Sequence, residues 1–239
     1  MEVCEMKKSV LLLFMVLLVP ALRAQDHASI PTLSVTGTGE VRAQPDQAIV
    51  RLGVTQEGTT AREAQQKANS VAQAILTSLR QLGIDSKQIQ TSQLTLYPVY
   101  THNGPEPVRS EPPRIAGYRA SNILSVTVDK IEQVGQVVDA GLKAGSNQVE
   151  GITFGLKDDT ATRQQALTQA AGEARRKAET IAKALNVQLE GIHEVIEGGV
   201  SVMPVREMMM MARADASTPV APGEVTVNAT LTVKYRISK

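Results

Sequence analysis

Glu224-Val225-Thr226-Val227-Asn228-Ala229-Thr230-Leu231-Thr232-Val233-Lys234-Tyr235-Arg236-Ile237 alternates apolar and polar side chains without a break. Successive side chains of a strand point to opposite faces, so the pattern predicts one long strand with a core face and a wet or polar-paired face. One-sided alternation belongs to sheets covered on a single face, and such sheets are commonly antiparallel. The chain is therefore expected to lay helices on one side of its sheets.

Upstream, Gly191–Glu197 reads as a strand and Ser201–Pro222 as irregular. Before them the spacing predicts the longest helix, from about Thr160 to Leu185, with the apolar stripe Ala166, Leu167, Ala170, Ala174, Ala178, Ile181, Ala182 and Leu185. A stripe made mostly of alanine lets a helix approach a sheet or a neighbouring chain closely. Glu173 with Lys177 and Glu179 with Lys183 have the spacing of supporting ion pairs. Asp158-Asp159 stands where a cap is needed, and Asn186 can take the left-handed stop that glycine usually takes.

The first half reads in the same way. Leu33–Val41 and Ala48–Gln56 are strands joined by a turn at Ala43-Gln44-Pro45-Asp46, with Ala48, Val50, Leu52 and Val54 on one face. Thr60-Ala61-Arg62-Glu63 fits a capping box for a helix that Gly83 ends. Ile89–Tyr100 and Tyr118–Val128 are strands on either side of the proline-rich stretch Thr101–Pro113. Asp129-Lys130-Ile131-Glu132 is expected to cap a helix through Leu142, and Val149–Leu156 is a further strand. The order is ββαββαβαββ. It predicts an α+β fold, with helices packed on mixed, largely antiparallel sheets as two-layer α/β sandwich halves. Residues 25–239 are expected to form a single domain whose halves meet near 114–129, the strand 224–237 joining the sheet.

Residues 1–24 read as an address. Lys7-Lys8-Ser9, the apolar run Val10–Val19 and the exit Pro20-Ala21-Leu22-Arg23-Ala24 are the parts of a secretory signal. The run is too short to cross a bilayer, which takes about 20 residues. Cleavage after Ala24 removes Cys4 and turns a formal charge of +1 into zero. A thiol-free exported domain suits an oxidising compartment, here the periplasm. Balanced charge speaks against nucleic acid, and aromatic residues at 3% speak against stacking platforms and a barrel's aromatic girdles. No transmembrane anchor is expected after cleavage, only peripheral envelope association.

Several segments together resemble the SIMPL-domain family. They are Val35-Thr36-Gly37-Thr38-Gly39-Glu40 with Pro45-Asp46 and Ala48, Gly83-Ile84 with Ile89-Gln90-Thr91, and Gly117-Tyr118-Arg119-Ala120-Ser121-Asn122. Ala174-Arg175-Arg176-Lys177-Ala178-Glu179 and Pro222-Gly223-Glu224-Val225 complete the match, with Asn186 where the pattern favours glycine. The resemblance implies an exported periplasmic or surface-associated protein, of the kind labelled immunogenic or linked by name to oxidative-stress defence. It also implies assembly, since a channel-like ring is known in the family. It carries no catalytic residue set.

The residues themselves point to no chemistry more strongly. Gly37-Thr38-Gly39 lacks the third glycine and the following helix of a phosphate loop, so close packing explains it better. His27, His102 and His193 are scattered without metal-ligand spacing, and no G-x-S-x-G elbow is present. Arg175-Arg176-Lys177 is interleaved with glutamates as a solvated helix face, and the sequon Asn228-Ala229-Thr230 lies within a strand. Met208-Met209-Met210-Met211 with Met203 could offer thioethers to copper(I) or act as an oxidant sink; an apolar loop against a neighbouring subunit is the plainer reading. The leading expectation is a non-enzymatic, homo-oligomeric envelope protein without cofactor. Its contacts are expected at the C-terminal strand, the proline-rich arm and the methionine loop. A small-ligand or soft-metal binding module is the alternative, and an envelope hydrolase with an unrecognised triad is the third reading.

Overall fold

A computed structural model describes residues 30–101, 114–204 and 218–239. The strands Thr32–Ala43 (β1) and Gln47–Gly58 (β2) precede the helix Ala61–Gln81 (α1), and Ile89–Tyr100 (β3) and Ile115–Val128 (β4) follow it. Then come the helix Val134–Lys143 (α2), the strand Gln148–Gly155 (β5), the helix Thr160–Leu185 (α3), and the strands Gln188–Pro204 (β6) and Val225–Ser238 (β7). The order ββαββαβαββ read from the sequence is the observed one. Residues 1–24 of the expected signal, residues 102–113 of the proline-rich arm and Met208–Met211 lie outside the described residues.

The strands form a four-stranded sheet, β3-β4-β2-β5, and a three-stranded sheet, β1-β7-β6. Every pairing is antiparallel, so the mixed component anticipated from the sequence is not found among the described residues. The expected meeting point of the halves, 114–129, holds one strand. It forms β4, an interior strand of the four-stranded sheet, while the three-stranded sheet joins the first strand to the last two.

Local chemistry sets the helix ends. Thr60 accepts the Glu63 N–H, as a capping box requires. The Glu63 carboxylate turns to the N–H and hydroxyl of Thr59 rather than to Thr60, so the box is offset by one residue. Gly83 takes φ 91° beyond the end of α1. Two caps differ from expectation. Asp129 instead accepts from Gln47, Gln88 and Lys157, and α2 is entered through a 3-10 turn at Ile131–Gln133. Asp158 holds the Thr160 N–H while Asp159 pairs with Arg163, so the aspartate pair divides the work at the start of α3.

Asn186 ends α3 at φ 54°, the only non-glycine with positive φ among the described residues. A Cβ in this region costs roughly 1–2 kcal/mol, which asparagine offsets through local hydrogen bonding. Asn186→Ala is therefore expected to lower the urea midpoint by an amount equivalent to about 1 kcal/mol, and Asn186→Gly to leave it equal or higher. An unchanged alanine variant would contradict the assignment.

The main core lies between the four-stranded sheet and its helices. Ala48, Val50 and Leu52 of β2 and Leu124, Val126 and Val128 of β4 are buried beneath Ile75 and Leu79 of α1 and Val134, Val137 and Val138 of α2. The face of β2 is the one that period-two alternation marked. Past the end of β5 the Asn147 side chain continues the ladder: its Oδ1 accepts the Thr55 N–H and its Nδ2 donates to the Thr55 carbonyl.

On the three-stranded sheet α3 lies unusually close. Ala166, Ala170, Ala174, Ala178 and Ala182 are all buried, and a Cβ on Gly37 or Gly39 of β1 would lie 2.0 Å from the carbonyl oxygen of Ala170 or Ala166. Glycines facing alanines thus bring two backbones together, which is the packing use inferred for Gly37-Thr38-Gly39. Ile181 and Leu185, expected in the buried stripe, are exposed. The ion pair Glu173–Lys177 is present, whereas Glu179 pairs with Arg175 rather than Lys183. β6 also runs to Pro204, further than its sequence suggested, because bulges between Leu189 and Gly191, Ile192 and Glu194, and Glu197 and Gly199 break its alternation.

Candidate functional site

Two strands at the sheet edges carry apolar side chains that the helices do not cover. α1 packs over β2 and β4. Leu94 and Leu96 of β3 stand opposite Asn122 and Ala120, on the helix side of the sheet but past the shelter of α1. Leu94 is 58% exposed. Tyr97, opposite Arg119, is exposed on the other face, and Tyr100 and Ile115 are exposed further along the same hairpin. Hydrogen bonds between Thr101 and Arg114 hold the two strand ends together.

β6 has the same character. Residues 192–199 are exposed throughout, with Ile192 at 58%. Ile192 and Val195 oppose Tyr235 and Val233 on the helix side, and Ile196 opposes Thr232 on the other. Large apolar side chains on both faces of an edge strand are what association surfaces bury. β7 is central, with β1 and β6 on its two edges, so its backbone offers no free edge. Its outer face carries Asn228, Thr230 and Thr232, beside Thr36 and Thr38 of β1.

A shallow polar depression of about 340 Å³ lies where β2, α1 and the β3–β4 hairpin meet. Glu57, Glu63, Lys67 and Tyr118 line it. Its charges answer one another: Lys67 pairs with Glu63 and donates to the Glu57 carbonyl, while Arg119 pairs with the Glu57 carboxylate. These ion pairs and hydrogen bonds are made within the chain.

Two carboxylates here and on α3 are shifted. The Lys67 ammonium, then the Thr59 hydroxyl and N–H, hold Glu63 down at about 2. The Thr38 N–H, then Lys177 and the Thr38 hydroxyl, hold Glu173 at about 2. Carboxylates with a folded pKa below the ordinary 4.5 contribute stability that is whole above that value and is lost as pH falls toward 2. The urea midpoint should therefore fall across that acid window, and the double variant Glu63→Gln, Glu173→Gln should show a flatter fall. An equally steep fall in the variant would rule these groups out as its source.

Of the sequence-predicted site residues, Met203 lies on β6 opposite Thr226 and is 56% exposed. Met208–Met211, His27 and His102 lie outside the described residues. His193 is exposed on β6, and among the described residues no three acidic, histidine or cysteine side chains converge as a metal site. No described helix is long and apolar enough to cross a membrane. The surfaces on β3 and β6 escaped sequence reading, although the doubled apolar pairs Leu94/Leu96 and Val195-Ile196 could have marked them.

Comparison with known proteins places the chain. The model of the SIMPL family, a protein of unknown function (DUF541), matches residues 33–235. The 26 kDa periplasmic immunogenic protein of Brucella melitensis is 31% identical over 211 residues, covering 86% of this chain and 84% of the relative. The uncharacterized protein YggE of Escherichia coli K12 is 26% identical over 204 residues, with 85% and 80% covered. YggE of Edwardsiella ictaluri is 24% identical over 207 residues, with 87% and 84% covered. None of these names is catalytic. With a match over nearly the whole of the described domain, the chain belongs to the SIMPL family.

Proposed function

We propose that this chain is an exported, non-enzymatic protein of the cell envelope that assembles with copies of itself through β3 and β6. One observation carries the reading: both edge strands expose large apolar side chains on both faces, including Leu94 and Ile192. A strand so exposed gains most from a partner that buries it. Export is supported by the leader-like residues 1–24 and by the word periplasmic in the name of the Brucella relative. In this reading residues 25–239 are the mature domain, and a part in oxidative or envelope stress follows the family resemblance.

Sedimentation of the exported protein tests it. The parent is expected to run well above the monomer mass, and Leu94→Glu with Ile192→Glu to shift it toward monomer, since a buried carboxylate at either interface is costly. A parent that is monomeric at micromolar concentration sinks the proposal. So does an assembly indifferent to both substitutions.

A further inference from the structure

Strand β1 is a sheet edge, yet part of it is already occupied. In a strand the N–H and C=O of one residue point to the same side, and those of the next residue to the other. The Thr38 N–H and the Thr36 carbonyl are bonded from α3 rather than from β7, so these groups point outward from the sheet. The Glu173 carboxylate accepts from both the Thr38 N–H and its hydroxyl, and Lys177 Nζ donates to the Thr36 carbonyl at 2.9 Å. Glu173 and Lys177 are themselves paired at 3.0 Å, one turn apart on α3. The side chains can reach round the sheet because Gly37 and Gly39 let α3 lie against β1. A strand laid beside β1 at this point would have to take the same outward groups.

The geometry points to Glu173 and Lys177 as an autoinhibitory clasp that closes the β1 edge against strand addition. The strand it excludes is β1 of a second copy of this chain. β1 places Leu33, Val35 and Val41 on the helix side and Ser34, Thr36, Thr38 and Glu40 on the outer side. A two-fold antiparallel β1 pair would keep both alternations in register across the joint, as self-complementary contacts require. With the clasp shut, contacts between copies are confined to other surfaces. This device is separate from the apolar strands β3 and β6 and does not depend on them.

Three variants of the full chain test the clasp by sedimentation and by amide exchange at Thr38. In Glu173→Ala, Lys177→Ala the clasp is removed. In Glu173→Lys, Lys177→Glu the helix keeps an ion pair but offers the wrong charge to each edge group. In Glu173→Gln an acceptor oxygen for the Thr38 N–H remains. The first two are expected to exchange the Thr38 amide about tenfold faster, the factor a hydrogen bond of ordinary net strength protects. They should also gain a species of twice the parent's mass, and Glu173→Gln should keep the parent's mass. The inference is overturned if the swapped variant keeps that mass, because a doubled species in the alanine variant would then reflect only the lost helix pair. Should the alanine variant not fold, the swapped one decides alone. Repeating the comparison with Leu94→Glu and Ile192→Glu added separates this edge from the apolar surfaces, since the doubling should persist there.

Discussion

Gly37→Ala is expected to destabilise the chain by about 3 kcal/mol, near the upper end for overpacking a close contact. The added Cβ would stand 2.0 Å from the Ala170 carbonyl oxygen and 2.5 Å from the Ala174 nitrogen. Both obstacles are helix backbone, so no side chain can rotate away, and α3 must lift from the sheet along several turns. Lifting α3 also pulls Glu173 and Lys177 off the outward groups of Thr38 and Thr36. Gly39→Ala meets the same helix one turn earlier, so the two losses should be less than additive. Gly155→Ala is the control: nothing lies within 4 Å of its added Cβ, and its stability should stay within about 0.5 kcal/mol of the parent. Urea unfolding followed by circular dichroism reads all three. A Gly37→Ala midpoint equal to that of Gly155→Ala would mean that the helix does not lie where this structure puts it.

Leu52→Ala should cost about 2–5 kcal/mol, the usual range for a leucine truncated in a core. Leu52 is fully buried at the centre of β2, with α2 above it. Its methyl carbons lie 3.0 and 3.1 Å from where a Cβ on Gly141 would stand. That proximity explains a glycine inside α2, where it weakens the helix by roughly 0.5–1 kcal/mol relative to alanine. It also predicts coupling. Gly141→Ala alone crowds Leu52 and gains little, whereas in the Leu52→Ala background it fills part of the cavity and recovers up to about 1 kcal/mol. A double-mutant cycle with no interaction between the two positions would contradict the contact.

The elements were legible in the sequence because their signals are local. Alternation in β2 and β7, the threonine before α1, Gly83 and Asn186 each act within a few residues of themselves, and each stands where it was read. What escaped depends on partners distant in the chain. Ile181 and Leu185 fit the helical stripe by spacing, but the sheet beneath them is only three strands wide, so α3 carries them past its cover. Glu179 could reach a basic residue on either side, and spacing cannot choose between Arg175 and Lys183. Gly191 and Gly199 interrupt β6 with bulges, so a strand of 17 residues shows only a short alternating piece. The same limit hid the exposed apolar faces of β3 and β6. Apolar residues in a strand announce burial, and only the placement of α1 and α3 shows which of them were left outside.

The pairing of β1 with β7 also orders events in time. Thr36 and Thr232 share a hydrogen bond across 196 positions of the chain. The four-stranded sheet draws its strands from Gln47–Gly155, so all its parts are made before Val225–Ser238. β1 has no such neighbour: it must wait for Val225–Ser238 to emerge, and loops of that span close slowly. A nascent chain stopped before Val225 would thus hold a four-stranded sheet under α1 and α2, with β1 and β6 still searching for the strand that joins them. Completion of the three-stranded sheet therefore waits on the strand Val225–Ser238.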